Sequence, residues 1–291
     1  MNHAAYLHTM KDDPLRISLR GVWSAAASSW ETHADFVDDR GKAVAAAMLD
    51  AAGLSPGERV LELGCGPGGA GFAAAEIVGA DGSVVLSDIA IEMIDIAANR
   101  AAARGITNVT TRQLDLEEID CADASFDATL CREALMLVPD PAAAVAETYR
   151  VLRPGGRAVF AVWGSRDANR WLGVLLDVIS EQLGMPVPPP GVPGPFSLSD
   201  PAVLVGLLSA AGFGDVAVQE VPSPMGVSTF EQWWTTVPAL AGPVGPLLAS
   251  LPDDVRLAVK SEAQAALAPF EGPLGYELPG VSLVAAGLRP R

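Results

Sequence analysis

Between residues 55 and 163 the chain alternates short apolar runs with longer stretches of helical period. The run Val60-Leu61-Glu62-Leu63 stops at Gly64-Cys65-Gly66-Pro67-Gly68-Gly69, and an Ala-rich helical pattern starts at Ala70. Val84-Val85-Leu86 ends at Ser87-Asp88, and a helix over residues 92–100 follows, with Gly105 just past its end. Gln113-Leu114-Asp115-Leu116 is another acidic strand end, and Phe126-Asp127-Ala128-Thr129-Leu130 a further strand. Pro141 stands where a helix can begin, and Arg153-Pro154-Gly155-Gly156 ends that helix before an apolar stretch reaching Trp163. Apolar strands that alternate with helices predict an α/β fold with a doubly wound, mostly parallel sheet.

The pattern changes on both flanks. Residues 1–54 read as a helical segment with Trp23, Trp30, His33 and Phe36, then an apolar helical stretch around 44–49. After Trp163 a helix at 171–183 runs into a proline-rich tract, 185–195, which reads as a semi-rigid linker or lid edge. A helix at 200–211 and a strand at 215–221 return to the core. Residues 226–275 read as a second insertion with Trp233, Trp234 and a helix near 253–267, and 280–288 as the last strand. The expected division is a helical lid segment (1–54), a ligand-binding core (55–163), a cap or linker insertion (164–198), and a sheet-completing part (199–291) that carries the second insertion.

Composition narrows the class of molecule. Half of the 291 residues are hydrophobic, so the chain is globular rather than disordered. No apolar run approaches the roughly 18 residues that span a bilayer. The N-terminus mixes His3, His8, Lys11, Asp12 and Asp13 without an apolar core, so no signal peptide is expected. Three cysteines do not make a disulfide framework, and the cytoplasm is the expected location. A net charge of −16, with 19 Lys and Arg and no basic cluster, argues against nucleic acid as a partner. No Cys/His/Asp spacing suggests a metal site.

The glycine knot carries the chemistry. Gly64, Gly66 and Gly68 allow turn geometries closed to other residues and let a ligand approach the main chain. Gly64, Gly66 and Gly69 also satisfy G-x-G-x-x-G, so a dinucleotide cofactor must be weighed. Asp88 suits either ligand, because both carry a ribose diol. Glu62, however, puts negative charge where a diphosphate needs the opposite. Pro67 removes an amide from a phosphate-cradling loop. Asp115, at another strand end, suits an adenine amino group.

On these residues the chain resembles the class I S-adenosylmethionine (SAM) dependent methyltransferases. Residues 62–68 look like their first motif, Ser87-Asp88-Ile89 with Met93 like the second, and Asp115-Leu116 like the third. Residues 126–130 look like the fourth strand, and Val151-Leu152-Arg153-Pro154-Gly155-Gly156-Arg157 like the turn before the fifth. The resemblance implies a Rossmann-like seven-stranded sheet whose final strand pairs antiparallel at the sheet edge. It implies SAM as cofactor. Glu62 would orient the glycine loop or bind the methionine amino group, with Gly64, Cys65, Gly66 and Gly68 forming the loop. Asp88 and Ile89 would take the ribose, and Met93, Asp115 and Leu116 the adenine. Cys131 and Arg132, in Cys131-Arg132-Glu133-Ala134-Leu135-Met136, would lie along the methionine portion.

The segment after the fourth strand resembles that of methyltransferases acting on quinones and polyketide-type molecules. The expected reaction is O- or C-methylation of a small, largely apolar molecule (a polyketide, quinone, terpenoid or similar metabolite). Alternatives are a cyclisation or rearrangement in the same SAM pocket, an NAD-dependent oxidoreductase, and a non-catalytic SAM-binding protein. His33 is the candidate general base, since imidazole titrates near neutral pH; a surface helix histidine is the other reading. Cys131 as a nucleophile is disfavoured, because no histidine follows residue 33. Cys65, Cys121 and Cys131 read as small buried residues rather than an arsenic site. Trp163, Arg166, Trp171, Trp233 and Trp234 line either an acceptor pocket or the core of a cap. Glu117-Glu118 and Asp253-Asp254 read as solvated charges. A homodimer is compatible with the sequence.

Overall fold

The computed structural model describes residues 14–291; His3, His8 and the N-terminal stretch expected to lack a signal lie outside the described residues. Two helices, α1 (Pro14–Thr32) and α2 (Ala34–Ala52), meet at His33. The core follows as β1 (Arg59–Leu63), α3 (Gly69–Val78), β2 (Ser83–Asp88), α4 (Ile91–Ala103), β3 (Val109–Gln113), β4 (Phe126–Arg132), α5 (Pro141–Val151) and β5 (Leu152–Trp163). Asp140 caps α5 by accepting from the Ala142 and Ala143 N–H groups, with Pro141 in its first turn. Beyond β5 come α6 (Arg170–Leu183), α7 (Pro201–Ala210), β6 (Gly214–Pro222), β7 (Met225–Val227), α8 (Phe230–Leu240), α9 (Val244–Ser250) and α10 (Asp253–Leu267). Three strands close the chain: the short β8 (Glu271–Gly272) and β9 (Gly275–Leu278), then β10 (Val281–Leu288).

Seven strands form one sheet in the order β3-β2-β1-β4-β5-β10-β6, with β1 to β5 parallel and β10 antiparallel to both neighbours. This is the Rossmann-like methyltransferase fold. The last strand is not at the edge, as the resemblance implied; β6 lies outside it. Residues of β10 are buried on both faces, whereas β6 is largely exposed, so burial assigns β10 the interior position. Arg153-Pro154-Gly155-Gly156, expected as a turn, instead belongs to β5. Its pairing with β4 skips there, since Phe126 faces Leu152 while Ala128 faces Arg157, and Gly155 takes φ 82° to absorb the extra residues.

Helices cover both faces of the sheet. On one, α5 and α7 pack through Ala144, Val145, Leu204 and Leu208. On the other, α2 to α4 pack through Val44, Met48, Phe72, Ala74, Ile94 and Ala97. A separate apolar cluster joins α6, α8, α9, α10 and the small sheet β7-β9-β8 into a cap, with Trp171 and Trp233 in its interior. The Trp233 indole donates to the Trp171 carbonyl at 2.8 Å. Among the described residues no helix is long and apolar enough to cross a membrane.

Candidate active site

The strand order reverses between β1 and β4, so their carboxyl ends open a crevice, the usual ligand site of a doubly wound sheet. A cavity of about 440 Å³ lies there. Its floor is the glycine loop after β1 and the segment after β4. Its walls come from α1, the proline-rich tract and the segment joining α8 to α9, and are overwhelmingly apolar.

Gly64, Gly66 and Gly68 have φ of 63°, 51° and 97°, the left-handed region that favours glycine. A Cβ on Gly64 would also run into the Ala134 side chain of the segment after β4. The loop spends its amides internally. Cys65 donates its N–H to the Ser87 carbonyl at 2.8 Å, Gly68 donates to Cys65 at 2.9 Å, and Gly66 donates to Asp88 Oδ2 at 3.0 Å. Pro67 has no N–H to offer. The Gly71 N–H in the first turn of α3 goes to Glu62 Oε2 at 2.8 Å. A diphosphate would thus find most of these donors taken and a carboxylate already at the helix N-terminus.

Glu62 is buried beneath this loop and outside the cavity lining. Burial pushes its carboxyl up to about 7, against the opposing influence of Arg132 and the Gly71 N–H. Gly71 has no room for a side chain, because a Cβ would collide with Glu62 and Leu86. Arg132 reaches from the cavity into a slot between α2 and α3, where Cβ atoms on Gly41 or Gly69 would strike its guanidinium. Cys131 is buried outside the lining, its thiol pushed up to about 12 by burial. Gly68 is also outside the lining, packed on the Phe72 ring. Burial raises the Cys65 thiol as well, and Cys65 borders the cavity.

Asp88, Ile89, Met93, Asp115 and Leu116 meet along one wall. Asp88 Oδ2 and Oδ1 accept from the Gly66 and Ala90 amides, each at 3.0 Å, while burial raises its pKa. Each carboxylate oxygen has a second lone pair, so the group retains capacity for a diol. Asp115 Oδ1 accepts from the Glu117 N–H at 2.9 Å.

Glu117 is not a solvated charge. It is buried, pairs with Arg16 of α1 at 2.9 Å, and accepts the Asp140 N–H at 2.7 Å. Arg16 also stands 3.7 Å from Asp115. An ion pair across 101 residues leaves no local signal, which is why the sequence pattern misses it. Asp253 and Asp254, in contrast, are exposed in the first turn of α10.

The aromatic residues divide. Trp163 borders the cavity, whereas Trp171 and Trp233 are cap interior and Trp234 packs on Phe230. Arg166 pairs with Asp177 at 2.7 Å. Trp30 lies against Gly66, within 3.7 Å of where a Cβ would sit. Sequence reasoning gave Trp30 and Glu133 no role, yet both line the cavity. His33 lies outside the lining; its Nδ1 is 2.8 Å from the Ser29 carbonyl, at the break between α1 and α2. Replacement of His33 by alanine is accordingly expected to leave turnover within about twofold. A loss of roughly 10²-fold, the size of a general-base contribution, would return it to the chemistry. Among the described residues no group of His, Cys, Asp and Glu is arranged to hold a metal.

Residues 54–170 match a family model described as a methyltransferase domain. Over this part the chain is similar to methyltransferase domains. Over 113 residues the chain is 37% identical to aklanonic acid methyltransferase DauC of Streptomyces sp., covering 39% of this chain and 51% of that one. It is 40% identical over 114 residues to nocamycin O-methyltransferase of Saccharothrix syringae, covering 39% and 41%. It is 37% identical over 110 residues to the ubiquinone/menaquinone C-methyltransferase UbiE of Vibrio campbellii, covering 38% and 42%. The chain thus spans about half or less of the length of these curated relatives. Among solved structures, YcgJ of Bacillus subtilis is 19% identical with a TM-score of 0.58, covering 85% of this chain and 98% of that one. The cyclase SpnF is 22% identical with a TM-score of 0.51, covering 85% and 80%. Both likenesses are of fold.

Proposed function

We propose that this protein is a SAM-dependent methyltransferase acting on an O or C atom of a small, largely apolar molecule of polyketide, quinone or similar type. The observation that carries this reading is one continuous cavity. It runs from the glycine loop, Asp88 and Asp115 to the apolar walls of α1, the proline-rich tract and the cap. In this reading Asp88 and Ile89 hold the ribose, and Met93, Asp115 and Leu116 the adenine. Gly64, Cys65, Gly66 and Arg132 border the methionine portion, while Glu62, Gly68 and Cys131 shape the loop from beneath. Bound there, SAM supplies a methyl group on a sulfonium that departs uncharged. The protein's task is to align the acceptor and keep water out, which suits a site whose walls are overwhelmingly apolar.

Residues 55–163 serve the cofactor in this division; the described part of 1–54, with 164–198 and 226–275, shapes the acceptor side. The relatives' names, an O-methyltransferase and a C-methyltransferase among them, support the substrate type. The acidic balance of the chain supports a partner other than nucleic acid, and in this reading the enzyme is cytoplasmic and compatible with a homodimer. Calorimetric titration tests the cofactor. S-adenosylhomocysteine should bind and NAD should not, and heat with NAD alone would overturn the reading in favour of an oxidoreductase. Tight S-adenosylhomocysteine binding, with no methyl transfer across a broad panel of phenols, quinones and enols, would favour cyclisation or a non-catalytic role.

A further inference from the structure

Two polar groups line the cavity outside the set assigned to the cofactor. Glu133 follows β4 with φ 58°, a conformation uncommon for a residue with a Cβ and one worth a functional explanation. Its N–H donates to the Ala161 carbonyl at 2.7 Å, which anchors the strained residue to β5. Its carboxylate is oriented by buried Ser282 of β10, whose hydroxyl donates to Oε1 at 3.0 Å. The charge of this carboxylate also acts on Arg40. Arg40 itself is fixed, lying 4.0 Å over the Trp171 ring and donating to the Ser223 carbonyl at 3.3 Å. Ser282 occupies only one of the two carboxylate oxygens, and Glu133 lines the cavity.

Trp163 is the complementary half. It is the register partner of Ser282 in the β5–β10 pair, so the two side chains share a face of the sheet. Trp163 therefore flanks the serine that holds Glu133. Its ring is braced edge-on against Trp171 at 4.8 Å, and it too lines the cavity. Its buried indole N–H has no partner among the described residues. A buried donor left unpaired is costly, so such a group in a ligand cavity marks a contact the ligand completes.

We propose that Glu133 and Trp163 are the acceptor-recognition pair: Glu133 takes a hydrogen bond from a free hydroxyl of an apolar substrate, and Trp163 donates to an oxygen of the same molecule. The inference rests on the methyltransferase reading and narrows its substrate class to hydroxylated apolar molecules such as phenols and enols. Glu133 then acts on specificity, by demanding a donor that an ether cannot supply.

The test uses the full chain saturated with S-adenosylhomocysteine, titrated with 2-naphthol and with 2-methoxynaphthalene. Apolar transfer alone favours the larger methoxy compound. The wild type is expected to prefer 2-naphthol by roughly tenfold or more, as a charge-assisted hydrogen bond requires. Glu133→Ala should abolish that preference, and Glu133→Gln should reduce it while keeping the shape of the site. Trp163→Phe should weaken both ligands severalfold. S-adenosylhomocysteine affinity should stay at the wild-type value in all three variants, which serves as the control for folding. Equal, reversed or undetectable probe binding with S-adenosylhomocysteine bound would overturn the pair alone, as would a preference unchanged in Glu133→Ala. Failure of S-adenosylhomocysteine to bind the wild type would overturn the methyltransferase reading and this inference with it.

Discussion

Asp88→Ala should weaken S-adenosylhomocysteine binding by roughly tenfold to a hundredfold, the cost of one or two hydrogen bonds to a charged group. The carboxylate stands at the end of β2, only 8% exposed, and does two jobs there. It holds the Gly66 and Ala90 amides, which fixes the glycine loop against the start of α4. It also presents its remaining lone pairs to the cavity, where a ribose diol would donate to them. Alanine removes both. Asp88→Asn keeps an oxygen for one amide but places donors where the diol needs acceptors, so it should lose nearly as much affinity. Isothermal calorimetry measures the loss, with far-ultraviolet circular dichroism confirming the fold. Wild-type affinity in a folded Asp88→Ala variant would remove this residue from the cofactor site.

The second large effect is on stability, and it is pH-dependent. Glu62 titrates at about 7 in the folded protein against an ordinary value of 4.5. A folded-state pKa above the unfolded one means that the native state binds the proton more tightly. The resulting stabilisation is complete below pH 4.5 and is lost as pH rises through about 7. The difference corresponds to roughly 3 kcal/mol. Glu62→Gln does not titrate and can still accept the Gly71 N–H through its amide oxygen. The variant should therefore gain stability relative to the wild type between about pH 5 and pH 8. Asp88 and Glu117 are raised by burial as well and impose the same trend on both proteins, so the difference between the two isolates Glu62. Urea titrations across that range give the measurement. Parallel stability–pH curves would show that Glu62 is ionised in the folded state from low pH, held so by Arg132.

Much of the site was legible because its requirements are local. A run of small and apolar residues ending at Gly64 demands a turn with positive φ, and neighbouring residues supply it. Asp88 closes β2, whose apolar run is visible in the pattern, whereas Asp115, expected at a strand end, lies just past the largely polar β3. The two carboxylates that sequence reasoning misplaced, or left without a role, depend on distant partners. Glu117 looked solvated because Arg16, which buries its charge, comes from the first described helix. Glu133 was given no role, since nothing near it in the chain announces the Ser282 hydroxyl 149 positions away. His33 drew attention by its chemistry, but the break between α1 and α2 turns its ring toward Ser29.

By itself the sequence determined the alternation of strand and helix, the glycine loop, and the acidic residues Asp88 and Asp115 that line the cavity. Periodicity and backbone conformation are set within a few residues, so they can be read in order along the chain. Only the tertiary structure decided that β10 lies inside the sheet, that α1 latches through Arg16 onto the segment after β3, and that Ser282 brings Glu133 and Trp163 together in the cavity lining. Those facts depend on which buried surfaces find each other after the strands have paired, and burial is a property of the assembled chain rather than of any segment of it.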